Sequence, residues 1–393
     1  MRGGDYSPLS DWSARESCVR GIVLAGRTDW GSAPQVSALR DPLAPIGLSP
    51  LIGFPLRWLR DGGIGHAAIC ASGPQLAAVR EHIGRGASLG MSVAFTHEQS
   101  PRGAAGCVRD AADLVDGGPR AAGDTYIVVE GALIPSVDIA DLLRTHWNAE
   151  AAATIVVEVD RRRRLATGPQ PNVPGGIYVF DARAIEAIGV TGYHDIKEGL
   201  IERLYRAGQP VVTHRVNGLS PRVIDRQSYL GVNRWIVDRM TGQALDGYVR
   251  VEDGLCHHTA RVHPGASLVG PVVVGAHATI EEDVVVIGPT AIGTHTRLEP
   301  GAVVTRSVVW DHCVVGRDAV VDTSVLVSRA VVAADSYLCG VVQMPTAGLV
   351  AAPEAADVSP LWHLPALPHT PLRSSLQAPL HAASDTERAR RLA

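Results

Sequence analysis

Between residues 19 and 240 the chain alternates short apolar runs with stretches of helical spacing. Gly21–Ala25 is a strand candidate. Leu51, Ile52, Leu56 and Leu59 recur at helical spacing and lead into GGIGHAAICAS, a helix stop followed by a strand. MSVAFTHE, DTYIVVEG and AAATIVVEV read as further strands, with helices over Ala104–Leu114 and Asp138–Trp147 between them. This alternation predicts a Rossmann-like, mostly parallel sheet with helices on both faces. Ligands of such sheets bind at the carboxyl ends of the strands.

A different pattern takes over after residue 241. Val262, Leu268, Val274, Ile280, Val286, Ile292, Leu298 and Val304 are six apart without a break. After a shift of one, Val309, Val315, Val321 and Val327 continue the series. Period six fits no single helix. It fits short strands on three faces of a coil, each face burying one aliphatic residue per turn. Three faces make about 18 residues per coil, so 262–332 holds about four coils. The expected division is a mobile segment at 1–18, an α/β domain at 19–240, a repeat domain at 241–345, and a Pro/Ala/Arg-rich tail at 346–393 that reads as disordered.

Composition narrows the classes. A net charge of −4 gives no global field for nucleic acid. The six cysteines are scattered with no CxxC pair, which suggests neither a zinc site nor a disulfide framework. No signal-type apolar stretch opens the chain, and no uncharged run is long enough for a membrane span. A cytoplasmic protein is the expectation.

The candidate chemistry starts in GIVLAGRTDWGSAPQVSALRDPLAPI, residues 21–46. This stretch resembles the sugar-phosphate nucleotidyltransferases, whose pattern is LAGGxGTRLxPLTxxxPKPLLPV. Leu24, Ala25, Gly26, Pro34, Pro42 and Pro45 fall where the family has them, without a gap. The charged and glycine positions differ. Arg27 and Asp29 stand where the family has glycines, Gly31 where it has arginine, and Asp41 where it has lysine. Glycines let backbone N–H groups approach phosphates, and the cations neutralise a triphosphate under attack by another anion. An Asp at the lysine position repels both substrates.

The resemblance continues for about 215 residues in the right order. HEQSPRGAAGCVRDA (97–111) is similar to yExxPLGTAGALxxA, with Gly103 and Gly106 in register. NVPGGIYVF (172–180) looks like NAGIYVF, HDIKEGLIERL (194–204) like DIKEDLIPxL, and SPRVIDRQSYLGVNR (220–234) like WxDIGTPEDYLxAN. The resemblance implies a nucleotide-binding set of Leu24, Ala25, Gly26, Arg27, Gly103 and Gly106, and a sugar contact at Gly176. In the family two Asp residues hold the Mg²⁺ that bridges the phosphates. The corresponding positions here are Ala132 and Arg222. Glu130 and Asp225 stand near enough in sequence to rebuild a metal site. The family's sugar-phosphate segment FxEKP is absent, and the interval reads EVDRRRRLATGPQP. Arg161–Arg164 read as a solvated hairpin tip or an anion site.

The repeat domain resembles the left-handed parallel β-helix of hexapeptide-repeat proteins. Many of these are acyltransferases that use a histidine and a protruding loop. His257, His258, His263, His277, His295 and His312 supply histidines, and the first three are also a candidate zinc cluster, but the unbroken period leaves no inserted loop. Such prisms stack side by side, so a homo-oligomer is expected. The reading is a nucleotidyltransferase-type protein of nucleotide-sugar metabolism, catalytically degenerate and regulatory or structural, with a nucleotide ligand or an active paralogue as partner. The alternatives are an Mg²⁺-dependent active enzyme with a rebuilt site and a β-helix acyltransferase.

Overall fold

The computed structural model describes residues 19–26, 33–97, 102–117, 120–121, 123–159 and 172–345. These fall into two compact units, one of residues 19–26 and 51–221, the other of residues 33–50 and 222–345. Arg27, Gly31, Arg161–Arg164 and the two chain ends lie outside the described residues. No helix among the described residues is long and apolar enough to cross a membrane.

The first unit is built on strands β1 (Val19–Leu24), β4 (His66–Ala71), β5 (Ser92–His97), β6 (Thr125–Glu130), β7 (Ala153–Val159), β8 (Asn172–Asp181) and β9 (Val211–Asn217). Strands β2 (Pro45–Ile46) and β3 (Ser49–Pro50) belong to the second unit. The sheet order is β5-β4-β1-β6-β8-β7-β9. β5, β4, β1 and β6 are mutually parallel, and β8 runs antiparallel to both β6 and β7. Four of these strands lie within one or two residues of the apolar runs in the sequence. The predicted helices are present as α4 (Gly103–Asp116) and α5 (Ile139–Asn148), with α1 (Pro34–Leu39), α2 (Gly53–Asp61) and α3 (Gly73–Ile83) before them and α6 (Ala182–Glu186) and α7 (Glu202–Arg206) after. Asp138 caps α5, its carboxylate accepting the Asp141 N–H at 2.9 Å. The core joins Ile22 and Val128 of the sheet, Ala105 and Val108 of α4, and the stacked rings of Tyr178 and Phe180.

The second unit is a parallel β-helix. Strands β10 (Tyr248–Val251) and β11 (Gly254–His257) form an antiparallel entry. Three parallel sheets follow, one per face. Leu268, Val274, Ile280, Val286, Ile292, Leu298, Val304, Val309, Val315 and Val321 all point into one core, as their spacing predicts. The series then departs from expectation. Leu326 and Val332 take the next core places, and Val327 lies outside that core.

The reason is a turn. Ile287 pairs with Thr305, and Ala291 pairs with Val308. Three residues separate the first of each pair, but only two separate their partners. The next coil repeats this between Asp322 and Val325. Each later coil therefore loses one residue at this edge, where Arg306, Thr323 and Gly340 sit at φ of +46°, +47° and +67°. Buried hydroxyls close the tightened edge. Ser307 N–H donates to Thr290 Oγ1, Ser324 N–H to Ser307 Oγ at 3.0 Å, and Val341 N–H to Ser324 Oγ at 3.1 Å.

One face of the prism carries an outward row of Leu255, Val273, Ala291, Val308 and Val325, all at most 3% exposed. Helix α8 (Arg226–Thr241) packs on its first coils. The β2–β3 hairpin joins α8 in turn, with Gly47 N–H donating to Asn233 Oδ1 at 2.7 Å and the Tyr229 hydroxyl donating to the Pro45 carbonyl. Gly47 has φ +62°, and a Cβ there would lie 2.8 Å from Ile236 and Met240. The division thus falls near residue 221, not 240, because the apolar side of α8 finds its partner on the β-helix.

Candidate active site at the carboxyl ends of the central strands

The parallel strands β1, β4 and β6 end side by side. Ala25 N–H donates to the Cys70 carbonyl and Gly131 N–H to the Leu24 carbonyl, both at 2.8 Å. Leu24 is the register partner of Glu130. The backbones here are so close that a Cβ on Gly131 would meet Ala25 Cα and Leu24 O at 3.1 Å. Leu24, Ala25 and Gly26 are thus brought beside Glu130, Gly131 and Ala132. Backbone hydrogen bonds join these strand ends.

The chemistry at the positions singled out in the sequence is sparse. Ala132 presents a methyl group at the position of the first metal carboxylate. Glu130 ends β6, half-buried, two residues before it. Within the second unit, Asp225 is the N-cap of α8. Its carboxylate accepts the Ser228 N–H and the Ser228 hydroxyl at 2.8 Å, and Ser228 Oγ accepts the Asp225 N–H at 2.9 Å. These hydrogen bonds from Ser228 hold the Asp225 carboxyl below its usual range. Asp41 serves a turn, accepting the Leu43 N–H at 2.8 Å while its carbonyl accepts the Ala44 N–H. Arg222 is half-buried at the entry to α8. Among the described residues, no three His, Cys, Asp or Glu side chains converge as a metal site. In particular, His263 Nδ1 accepts the Gly265 N–H, while the His257 and His258 rings lie 4.4 Å apart.

The glycines of the second motif have a packing duty. Gly103 adopts φ +71°, and a Cβ there would lie 2.4 Å from the His194 carbonyl oxygen. That same oxygen accepts the N–H of Ala105 at 2.9 Å, and His194 N–H donates to the Arg102 carbonyl at 2.7 Å. The first turn of α4 is thereby closed by the chain's own HDIKEGL segment. Arg102 reinforces this. Its guanidinium binds both oxygens of Asp110 and donates to the Gly192 carbonyl at 2.9 Å, and the Asp110 hydrogen bond raises its pKa. A Cβ on Gly106 would meet Arg102 Cβ at 2.8 Å. Gly176 is buried at φ +70° in β8, beside the register shift opposite Ile155–Val157. It accommodates a bulge.

Sequence reasoning passed over Glu158. It is 2% exposed in β7, and its Oε1 accepts the Ser220 N–H at 2.9 Å. Ser220 Oγ in turn meets Ser136 Oγ at 3.1 Å, and Ile134 N–H donates to the Pro221 carbonyl. Glu158 thus positions the loop that follows Ala132. The signal was available as one carboxylate inside the apolar run TIVVEV.

Comparison with known proteins shows what the sheet unit is similar to. Residues 22–166 match the nucleotidyl transferase family model. The chain carries a nucleotidyl transferase domain. It is 24% identical over 283 residues to a mannose-1-phosphate guanylyltransferase of Mycobacterium tuberculosis, covering 67% of this chain and 76% of the relative. It is 22% identical over 340 residues to a UTP–glucose-1-phosphate uridylyltransferase of Synechocystis, covering 77% and 85%. A Bacillus anthracis structure designated a glucose-1-phosphate thymidylyltransferase, solved with sucrose, aligns at a TM-score of 0.45 and 19% identity over 55% of this chain and 94% of that one.

Proposed function

We propose that this nucleotidyl transferase domain binds a nucleotide or nucleotide sugar without running the transfer reaction, and acts in nucleotide-sugar metabolism as a regulatory partner of an active paralogue. The observation that carries the reading is the fate of the charged positions. Ala132 offers no oxygen, Asp225 is committed to a helix cap, and Asp41 holds its own turn. Transfer between two anions needs positive charge and a bridged metal at this rim. The base end needs shape and close backbone approach, and the tight packing of Gly131 against Leu24 and Ala25 supports this part of the reading.

Calorimetric titration of the mono-, di- and triphosphate series, with and without Mg²⁺, tests this. Affinity is expected to fall as phosphates are added and to be indifferent to Mg²⁺. Pyrophosphate release with common sugar 1-phosphates is expected to stay at background. Mg²⁺-dependent turnover that disappears in Glu130→Ala would instead establish the rebuilt site. Acyl transfer has less support, because the coils from 261 to 343 run without an inserted loop.

A further inference from the structure

The three corners of the prism carry different side chains at their left-handed positions. One holds Asp283, Asp318 and Asp335, and another holds Arg306 and Thr323. The third follows the strands under α8. It holds His277, His295, His312 and Arg329, at φ of +56°, +56°, +60° and +68°. Backbone bonds keep these residues in register. His295 N–H donates to the Ala276 carbonyl and His312 N–H to the Thr294 carbonyl, both at 2.9 Å. The three exposed imidazoles therefore stack, with centroids 4.8 and 5.1 Å apart and planes within 15°. Among the described residues, the ring nitrogens of His277 and His295 have no hydrogen-bond partner. His257 and His258 occupy the preceding coil, their rings 4.4 Å apart.

Most of the carboxylates that flank the column are engaged. The Asp311 carboxylate accepts the Thr294 N–H at 2.6 Å and lies over Gly293, where a Cβ would meet it at 2.6 Å. Tyr229 of α8 and Tyr248 of β10 are within reach of its charge. Burial raises its pKa, against the Thr294 hydrogen bond and the charges of His312 and His295. On the adjoining face Glu281 pairs with Arg297 at 3.0 Å, Glu299 accepts the Arg317 N–H at 3.0 Å, and Arg261 is exposed. At the far end, exposed Asp246 stands beside Gly247, whose carbonyl lies 3.0 Å from the His258 ring nitrogen. The coils also sense one another. Burial first, then the charges of His258 and His277, hold His257 below the ordinary imidazole value. An anion along the column relieves that repulsion.

We propose that this corner binds a linear chain of phosphates, laid along the prism so that phosphoryl oxygens accept N–H bonds from His277, His295 and His312. Protonated imidazole and phosphate form charge-assisted bonds, and neighbouring rings stand close enough for one phosphoryl group to take a bond from each. Spacing sets the ligand class. Same-side side chains of an extended acidic peptide recur about 6.8 Å apart, out of step with this column. A phosphate chain carries an anionic oxygen on every unit and meets every coil. Arg329 takes the same place one coil further on, as a permanent cation. An imidazole gains its charge between about pH 8 and pH 5, so binding follows acidification. The inference is independent of the nucleotide reading of the rim, which involves none of these residues.

Calorimetric titration of the full chain with inorganic tripolyphosphate, at about pH 6 and about pH 8, tests it. Binding is expected at the lower pH, and at least about ten-fold weaker binding at the higher. His295→Asn keeps a residue that tolerates left-handed φ. It is expected to weaken binding at the lower pH about ten-fold, the loss of one charge-assisted donor, and His277→Asn by a similar factor. Orthophosphate, which spans a single pair of rings, is expected to bind more weakly than tripolyphosphate. Adenosine triphosphate separates the two sources of such a chain. Binding as tight as that of tripolyphosphate, lost in His295→Asn, makes the ligand a nucleotide tail, and weaker binding makes it an inorganic chain. Circular dichroism of each variant separates a lost site from a lost fold. Wild type that takes up no tripolyphosphate at the lower pH overturns the proposal. So do folded His295→Asn and His277→Asn that bind it like wild type, which puts the phosphates on another surface. Binding of poly-glutamate in place of tripolyphosphate overturns the phosphate assignment.

Discussion

The two units handle left-handed backbone in opposite ways. In the sheet unit glycine fills nearly all such positions, and at Gly103 another chain segment presses directly on the backbone. In the β-helix the same conformation falls on His277, His295, His312, Asp283, Asp318 and Asp335. There the side chain has open space and a neighbour one coil away. His277 stacks on His295 at 4.8 Å, and His295 on His312 at 5.1 Å, with planes within 15°. A strained φ costs about 1 kcal/mol, which a stacked pair of rings offsets on a similar scale. A left-handed residue is therefore a packing requirement in one unit and a stacking opportunity in the other.

The histidines give the sharpest contrast. His146 of the sheet unit is buried, bonded through Nδ1 to Thr154 Oγ1 at 2.8 Å, and burial, aided by Arg183, lowers its pKa to about 4. Its folded value lies below the unfolded one. Its contribution is therefore intact above about pH 6.5 and is lost as pH falls towards 4, at a cost of about 3 kcal/mol. Acid is expected to melt the sheet unit first, followed by tryptophan fluorescence. His146→Gln flattens that pH dependence. A β-helix that melts before the sheet unit breaks the contrast.

Gly103→Ala comes next, with an expected loss of about 2 kcal/mol in urea unfolding, because a backbone carbonyl cannot step aside. Asp225→Ala removes the capping box of α8 and should lower stability by about 1 kcal/mol. It should leave Mg²⁺ binding unchanged; a loss of Mg²⁺ affinity would return this carboxylate to the metal. The smallest effect is expected for His295→Gly, within about 0.5 kcal/mol, since the relieved φ offsets the lost stack. A loss as large as that of Gly103→Ala would mean that the histidine column is core and not ornament.

Much of this was legible in the chain. Apolar runs placed the central strands, and period six placed the aliphatic core up to Val321, because each signal repeats a simple geometric need. The site was read through one-to-one correspondence, which identifies positions but not their local duties. Asp225-x-x-Ser228 is an N-cap pattern and Asp41-Pro42 a turn pattern, and both were in view as sequence. The partner of α8 was not. Helical spacing shows that one side is apolar, not which surface will cover it.

The hydroxyl ladder at Thr290, Ser307 and Ser324 bears on how the prism was assembled. Repeat proteins lengthen by duplicating a unit, and here there are two unit lengths, the longer before residue 305 and the shorter after it. A copied early coil pasted among the late ones would put Val272 where a hydroxyl accepts the next amide, and would leave that amide without its acceptor in a buried position. Growth is permitted within each block and forbidden across the seam. The seam is therefore the place where a duplication that crosses it is expected to cost a buried amide its acceptor.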